Sequence, residues 1–472
     1  MDQSIDHEIQ RVFSAQRARR WHVAQTSAAD RIAKLRTLKE AILSRRDELA
    51  AAVHKDFRKS KAEFELTEIH PVVDEINHAI EHLADWMKPE SVTTPLVLAG
   101  AKSTIRYEPR GVVLIVSPWN YPFNLLAAPL VGAIAAGNCV VLKPSSKTAH
   151  LAEAVAELIR SVFREDEVAI FTGSHQVADS LLALPFDHVL FTGSTNVGKK
   201  VMHAAADHLA TITLELGGKS PVIIDRSADV EGAAKRIMWG KCVNAGQTCI
   251  APDHAFVHRD VLDRFVAASR ATVERFYGAT EDARKASEDF PRLIDDAAFR
   301  RVSTLLEKSI AMGARPAFGG VTDASERYVA PTLLTNVTHD MPIMGEEIFG
   351  PILPVLPIDS VEEACTKIQA GDKPLALYLF ASDRAVIDRV FSSTTSGGAV
   401  LNDVFLHVAN PYLPFGGVGA SGMGHYHGHH GFKTFSHARA VVDRIASALP
   451  LFYPPYDEAR PKVAAQLLRV LE

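Results

Sequence analysis

The chain has 472 residues, more than one hydrophobic core ordinarily serves, so two or three domains are expected and a small stapled scaffold is excluded. Apolar residues make up 47% and charged residues 23%, the balance of an ordinary globular protein, and a formal net charge of −5 gives no electrostatic reason to expect nucleic acid as a partner. The four cysteines, Cys139, Cys242, Cys249 and Cys365, form no CxxC pair, which suits a reducing compartment and a cytoplasmic location.

The opening MDQSIDHEIQRVF lacks the basic, apolar and small-residue succession of a secretory signal. From there to about residue 90 apolar side chains recur at helical spacing, as in Ile32, Leu35, Leu38, Ile42 and Leu49, which predicts amphipathic helices. TPLVLAG (94–100) and STIRYEP (103–109) read as short strands around a bend, and GVVLIVSPWN (111–120) as a strand buried on both faces. The apolar run from Leu125 to Gly137 contains Pro129 and falls short of the roughly 20 residues that cross a bilayer, so no integral membrane segment is expected. CVVLKPS, EVAIFTG, HVLFTGS and ITLELGG then follow one another with helix-forming segments between them, the pattern of a parallel sheet covered on both faces. Such a sheet binds ligands beyond its C-terminal strand ends, where PWN, KPSS, FTGS and ELGG stand. A second series runs from SPVIIDRSAD through DHAFVHRD, ILPVLPID and LALYLFASD to GGAVLND, so a second α/β domain begins near 217 and a cleft lies between the two. Residues 405–437, rich in Gly and His, have no period and are predicted to be loop or extended structure.

Several strand ends carry residues able to do chemistry. HVLFTGSTNVGK is a strand, a Gly-flanked turn and a helix start, which can present backbone N–H groups to a phosphate, although such glycines also make plain structural turns. KPSS (143–146) adds an ammonium and hydroxyls that suit a ribose or phosphate, or a solvated loop. In NAGQTCIAPD the isolated Cys249 reads by itself as a small buried hydrophobe. As a nucleophile it would need a donor for an oxyanion and a base, and Asn120 of SPWNYP and Glu215 of LELGG stand at ends of elements expected to share one rim. EEIFGP (346–351) is either an acidic turn or a ligand for sugar hydroxyls. HYHGHH (425–430) is dense in histidine, but no Cys, Asp or Glu stands beside it, and hydrogen-bonded loop histidines are the expected reading, with no metal assigned.

Taken together, SPWNYP, LKPS, FTGST, LELGGKSP, NAGQTC, EEIFGP and PFGGVGASGMG resemble the motifs of the aldehyde dehydrogenase superfamily, in the family's order and over about residues 30–437. GQTCIAPD and SGMGHYHGHHGFKTFSH are most similar to its class 3 branch of fatty, aromatic and coniferyl aldehyde dehydrogenases. The resemblance implies Cys249 as nucleophile, Glu215 as base for the deacylating water, and Asn120 with the Cys249 N–H as oxyanion hole. It implies a nicotinamide cofactor, NAD or NADP, held by Lys143, Ser145 and Ser146, by Gly193, Ser194 and Gly198, by Leu216 and Gly217, and by Glu347 with Phe349. Tyr121, Trp239, Thr248 and Phe415 would line the substrate tunnel. Glu215 favours water over coenzyme A as acyl acceptor. Many relatives have KPSE, whose Glu repels a 2′-phosphate; here Ser146 and Lys147 follow the proline, and use of NADP is expected alongside NAD.

The fold implied is aldehyde dehydrogenase-like α/β: two doubly wound parallel-sheet domains plus a small β oligomerisation element. Its parts are expected at 1–89 with 109–216 (dinucleotide-binding), 217–404 (catalytic) and 90–108 with 405–440 (oligomerisation). The closing 441–472, with RPKVAAQLLRVLE in place of an apolar anchor, is expected to be an amphipathic cover for the substrate entrance or a partner contact in a homodimer of a soluble protein. Medium- and long-chain aliphatic aldehydes and aromatic ones such as coniferaldehyde rank ahead of small polar semialdehydes, for which no dedicated Arg is seen. Two other classes compete: a cofactor-independent thiol esterase using Cys249 and Asn120, and a non-catalytic or metal-binding protein on the same scaffold.

Overall fold

The computed structural model describes residues 3–95, 98, 100–444, 453–455 and 461–462. Most of 445–472 lies outside the described residues, and the expectation of an amphipathic closing segment falls there.

Helices Gln3–Ala24 and Ala28–Phe57 open the chain; Ser27 caps the second with a reciprocal Asp30 bond, the capping box that S-A-A-D encodes. Its buried Leu35, Leu38, Ile42 and Leu49 form the predicted apolar stripe. After helix His70–Trp86 come β1 (Glu90–Val92) and β2 (Ala101–Pro109), paired antiparallel. The expected strand over 94–100 is corrected: β1 ends before it, and its described residues Thr94, Pro95, Leu98 and Gly100 are in no strand. Pro95 has no N–H to give a ladder.

β3 (Val112–Val116), β4 (Cys139–Lys143), β5 (Val168–Ile170), β6 (His188–Thr192) and β7 (Thr211–Glu215) form one parallel sheet in the order β5-β4-β3-β6-β7. The order reverses between β3 and β6, and loops diverging there open a crevice at the carboxyl ends. β8 (Pro221–Ile224) and β9 (His254–His258) begin a second sheet with β10 (Arg315–Phe318); a small hairpin, β11 (Thr322–Asp323) and β12 (Tyr328–Val329), leads on to β13 (Thr332–Thr335), β14 (Ile352–Ile358), β15 (Ala376–Phe380) and β16 (Gly398–Leu401). Its order is β10-β13-β14-β9-β8-β15-β16, parallel except for β10. β17 (Gly422–Met423) returns to pair antiparallel with β7, and β18 (Ser436–Arg444) pairs with β2 over nine residues. Two sheets of buried Val, Ile and Leu and a small antiparallel element thus make the expected α/β architecture.

The expectation of loop over 405–437 is also corrected. Helices Leu406–Ala409 and Gly428–Thr434 lie within it, beside β17 and the first residues of β18. The second is GHHGFKT, too short and Gly-rich to show a period; its Gly431 lies against Gly132 of helix Asn124–Ala136, where a side chain at 132 would meet Gly431 backbone at 3.3 Å. Tertiary contact, not local propensity, makes this helix.

The two sheets meet end to end in a way the strand pattern does not announce. The carboxyl ends of β3, β6 and β7 face the segments that enter β8, β9 and β14 at their amino ends, and the groups discussed below lie along that seam.

Candidate active site

Cys249 stands on a loop held in an unusual backbone conformation. Helix Val230–Cys242 runs into a kinked turn, Val243–Gly246, in which Asn244 (φ 54°), Ala245 (φ 51°) and Gly246 (φ 71°) are all left-handed. For residues other than glycine this conformation costs roughly 1–3 kcal/mol each and persists only where the surroundings over-determine it. Here Gln247, fully buried, donates through Nε2 to Asn244 O (3.0 Å) and Arg292 O (3.1 Å), and accepts from Ile294 N at Oε1 (2.9 Å). A Cβ on Gly246 would collide with the Gly350 carbonyl oxygen.

Asn120, 3% exposed at the end of the β3 loop, donates its amide Nδ2 to Gln247 O at 3.0 Å and accepts at its own carbonyl from Asn244 Nδ2 at 2.8 Å. One amide hydrogen of Asn120 is spent on that bond, leaving one for a ligand. Next to it Tyr121 Oη meets Thr248 Oγ1 at 2.7 Å, one residue before the cysteine. Burial pushes the Cys249 thiol up to about 12, and the Glu347 and Glu215 carboxyls add to the shift. Glu215 ends β7; burial lifts it well above the usual carboxylate range, and neither of its oxygens has a hydrogen-bond partner among the described residues. The structure therefore brings together the thiol, amide donor and carboxyl group that the sequence placed at the ends of separate elements.

Around the thiol the walls are aromatic. Tyr378 Oη donates to Ile250 O at 2.6 Å, and Phe405 stands between Tyr378 (6.5 Å) and Trp239 (5.4 Å), which is 43% exposed at the outer end of this row. Phe415 is buried further in, edge-on to Tyr426 at 6.0 Å. Tyr378, Tyr426 and Phe405 were not singled out in the sequence: Tyr378 is hidden in the apolar strand LALYLF, and Phe405 takes φ 67° outside any regular element.

The expected cofactor residues stand at or just after the ends of β4, β6 and β7 and just before β14. Ser194 is the N-cap residue of helix Thr195–Ala206 with no side-chain cap bond, so its hydroxyl and the first helix N–H groups are available to an anion. Gly193 N donates to Glu215 O (3.0 Å), a Cβ on Gly198 would strike Leu216, and Leu216 N donates to Ser421 O at 3.0 Å. A Cβ on Gly217 would strike the Glu347 carboxyl, which hangs over this backbone with Oε1 sealed from solvent and unpartnered among the described residues. Burial, with Asp253 nearby, pushes Glu347 up to about 8. Phe349, at φ 47°, is edge-on to Trp119 at 5.5 Å. Lys143 Nζ donates to Pro144 O (2.8 Å) and Gly173 O (2.9 Å), and burial lowers it to about 8. Ser145 Oγ accepts from Lys147 N, Ser146 is exposed, and Lys147 Nζ pairs with Asp295 at 2.7 Å over the Trp119 ring. An N-terminal helix turn, a bare glycine backbone and an orphaned carboxylate oxygen are the groups that a dinucleotide's phosphates and ribose hydroxyls require.

The histidine-rich stretch is engaged elsewhere. His427 Nδ1 lies 3.3 Å from Glu75, His429 stacks on Trp86 at 5.2 Å, and His425 faces His430 at 5.2 Å. Among the described residues no group of three or more His, Cys, Asp or Glu is placed to hold a metal ion, and no helix is long and apolar enough to cross a membrane.

Comparison with known proteins agrees with this geometry. The sequence profile of the aldehyde dehydrogenase family matches residues 3–441. The chain is 45% identical to the 4,4'-diaponeurosporen-aldehyde dehydrogenase of Staphylococcus aureus, over 90% of this chain and 91% of that one. It is 42% identical to the "Probable coniferyl aldehyde dehydrogenase" of Caulobacter vibrioides, over 96% and 95%. The substrate-bound state of Staphylococcus aureus AldH superposes with a TM-score of 0.92 at 41% identity, covering 97% of this chain and 99% of that one. With the Glu347 carboxyl over a bare glycine backbone near a half-buried thiol, and with relatives matched over nearly their whole length, the chain belongs to the aldehyde dehydrogenase family.

Proposed function

We propose that this NAD(P)-dependent aldehyde dehydrogenase oxidises medium- or long-chain aliphatic or aromatic aldehydes to their acids through a thioester on Cys249. The observation that carries the reading is the meeting of Cys249, the Asn120 amide and the unpartnered Glu215 carboxyl at the seam between the two sheets. The aromatic row from Trp239 to Tyr378, with Phe415 and Tyr121, supports an apolar substrate, as do relatives named for a carotenoid aldehyde and for coniferyl aldehyde.

In this reading Cys249, deprotonated, attacks the aldehyde carbon and forms a thiohemiacetal whose oxyanion accepts from the Asn120 amide and the Cys249 backbone N–H. The nicotinamide, when bound, supplies the acceptor for the hydride that leaves that carbon. Glu215 then takes a proton from water, the water oxygen adds to the thioester, and collapse releases the acid and returns the thiol. Ser194 and the helix behind it hold the phosphates, Lys143 and Ser145 the adenine ribose, and Glu347 the nicotinamide ribose, with Gly193, Gly198, Leu216 and Gly217 shaping the backbone and Phe349 the ring wall. Ser146 stands at the end of β4, the second strand of this nucleotide fold, where an acidic residue reads the 2′-hydroxyl. Without that charge, and with Lys147 adjacent, NADP is accepted as well as NAD. The enzyme works in the cytoplasm as a homodimer. Its dinucleotide-binding part is 1–89 with 109–216, its catalytic part 217–404, and its oligomerisation element 90–108 with 405–440.

One assay tests the whole reading: cofactor reduction followed at 340 nm, with NAD and NADP in parallel, from acetaldehyde through decanal to benzaldehyde and coniferaldehyde, beside Cys249→Ala and Ser146→Glu. The expected result is turnover of apolar aldehydes that Cys249→Ala abolishes and NADP use that Ser146→Glu depresses. Ester hydrolysis through Cys249 without any cofactor reduction would return the esterase reading.

A further inference from the structure

Beneath the two loops that form the site lies a charged segment, Lys59 to Glu68, that the proposed reaction does not use. It is one helical turn, Lys61–Phe64, continued by a π-helical turn, Glu65–Ile69, a form frequently met at functional sites. Lys59 and Glu68 are both fully buried and paired at 2.7 Å. Glu68 Oε2 accepts the backbone N–H groups of Phe123 (2.8 Å) and Asn124 (3.3 Å), and Lys59 Nζ lies 4.1 Å from the centre of the Tyr121 ring. These contacts fix the loop that carries Asn120. Glu63, partly buried, serves the other loop: its Oε1 accepts the Asn244 N–H at 2.9 Å. Asn244 is the first of the three left-handed residues before Cys249, and its side chain bonds both Asn120 O (2.8 Å) and Gln247 O (3.1 Å).

We propose that Glu63 is a positioning residue of this active site, whose carboxylate pins the left-handed Asn244 turn against the Asn120 loop and so sets the Cys249 thiol opposite the Asn120 amide. The inference rests on the roles proposed for Cys249 and Asn120. A carboxylate accepting a backbone N–H makes a stronger bond than a neutral acceptor does, and the turn it holds is strained. Its charge is also adjustable. Burial pushes Glu63 up to about 7 against the opposing pull of Lys59 and the Asn244 N–H. The groups that face it are Lys59 and Glu68 of its own segment, Asp289 of the loop before Phe290, Tyr121 after β3, and Tyr277 at the end of helix Leu262–Tyr277. Lys59 is committed to Glu68, so Glu63 has no cation of its own at bonding distance among the described residues. Below neutral pH it becomes a neutral acid and its hold on Asn244 weakens; above neutral pH the hold is complete.

The test compares full-length wild type, Glu63→Gln and Glu63→Ala from pH 6 to 8.5. It reads the rate of Cys249 alkylation by iodoacetamide, located by peptide mass, and kcat and KM for a turned-over aldehyde. The Gln side chain keeps an acceptor of the same shape, so the ratio of wild type to Glu63→Gln removes the titration of Cys249 itself, which both share. That ratio should be near unity at pH 6 and rise through about pH 7, while Glu63→Ala loses about tenfold in kcat with little change in KM. A ratio that is flat with pH, or a Glu63→Ala enzyme with wild-type kcat, overturns the proposal. Should no aldehyde support cofactor reduction, the functional reading fails while the alkylation ratio still decides the role of Glu63.

Discussion

Among the described residues nothing bonds the Glu215 carboxyl to hold it ionised. Burial is the cause of its upward shift, and no donor among the described residues touches either oxygen. Only its deprotonated form can accept a proton from water, so hydrolysis of a Cys249 thioester should be slow at low pH and quicken as pH rises. Cys249, pushed up to about 12, adds a rise of its own in the same direction. Glu215→Gln separates the two: it leaves the attack intact and removes the proposed base. The expected outcome is a rapid burst of reduced cofactor, equal to the Cys249 content, followed by turnover at least about 100-fold slower than wild type and an acyl adduct visible by mass. A variant with wild-type steady-state turnover and no adduct would exclude Glu215 as the base. Cys249, Glu215 and Asn120 could be named from the sequence because each sits in a short motif that resembles the family's. Glu63, Lys59 and Glu68 could not, since KSKAEFELTE looks like the solvated face of a helix and its partners lie far along the chain.

At the scale of elements, the strands were readable where period and turn residues agree, and KPSS, FTGS and ELGG do end strands of the first sheet. What the pattern could not convey is that the second sheet contributes its amino ends, because strand order and direction are fixed by contacts between sheets. Nor could it convey the left-handed turn over Asn244–Gly246, where Asn and Gly are permissive signs but Ala245 is not. That turn makes a local prediction. At Gly246 an alanine would need a positive φ and would meet the Gly350 carbonyl, so Gly246→Ala should lower unfolding free energy by about 1–3 kcal/mol and slow Cys249 alkylation. Gly345→Ala, whose new methyl meets nothing within 4 Å, is the control for both denaturant titration and alkylation. Equal behaviour of the two variants would show that the turn does not constrain the cysteine.

At the scale of the molecule, β18 and β16 each stand at the edge of a sheet among the described residues. β18 pairs with β2 on one side only, with most of its side chains exposed, and β16 pairs with β15 alone at the end of the second sheet. An exposed edge of nine residues is a template for another strand, and in a homodimer a symmetric partner would cover it. Successive N–H groups of a strand point to opposite edges, so of Val441→Pro and Val442→Pro one breaks a ladder bond to β2 and the other removes only an N–H from the free edge. If the edge carries the dimer, the second kind of variant should keep its melting temperature in dilute solution yet sediment at half the wild-type mass. The other should lose stability as well. Wild type sedimenting as a monomer, or both variants remaining dimeric, would place the partner surface elsewhere and leave β18 as an edge guarded only by its charged Arg439, Asp443 and Arg444.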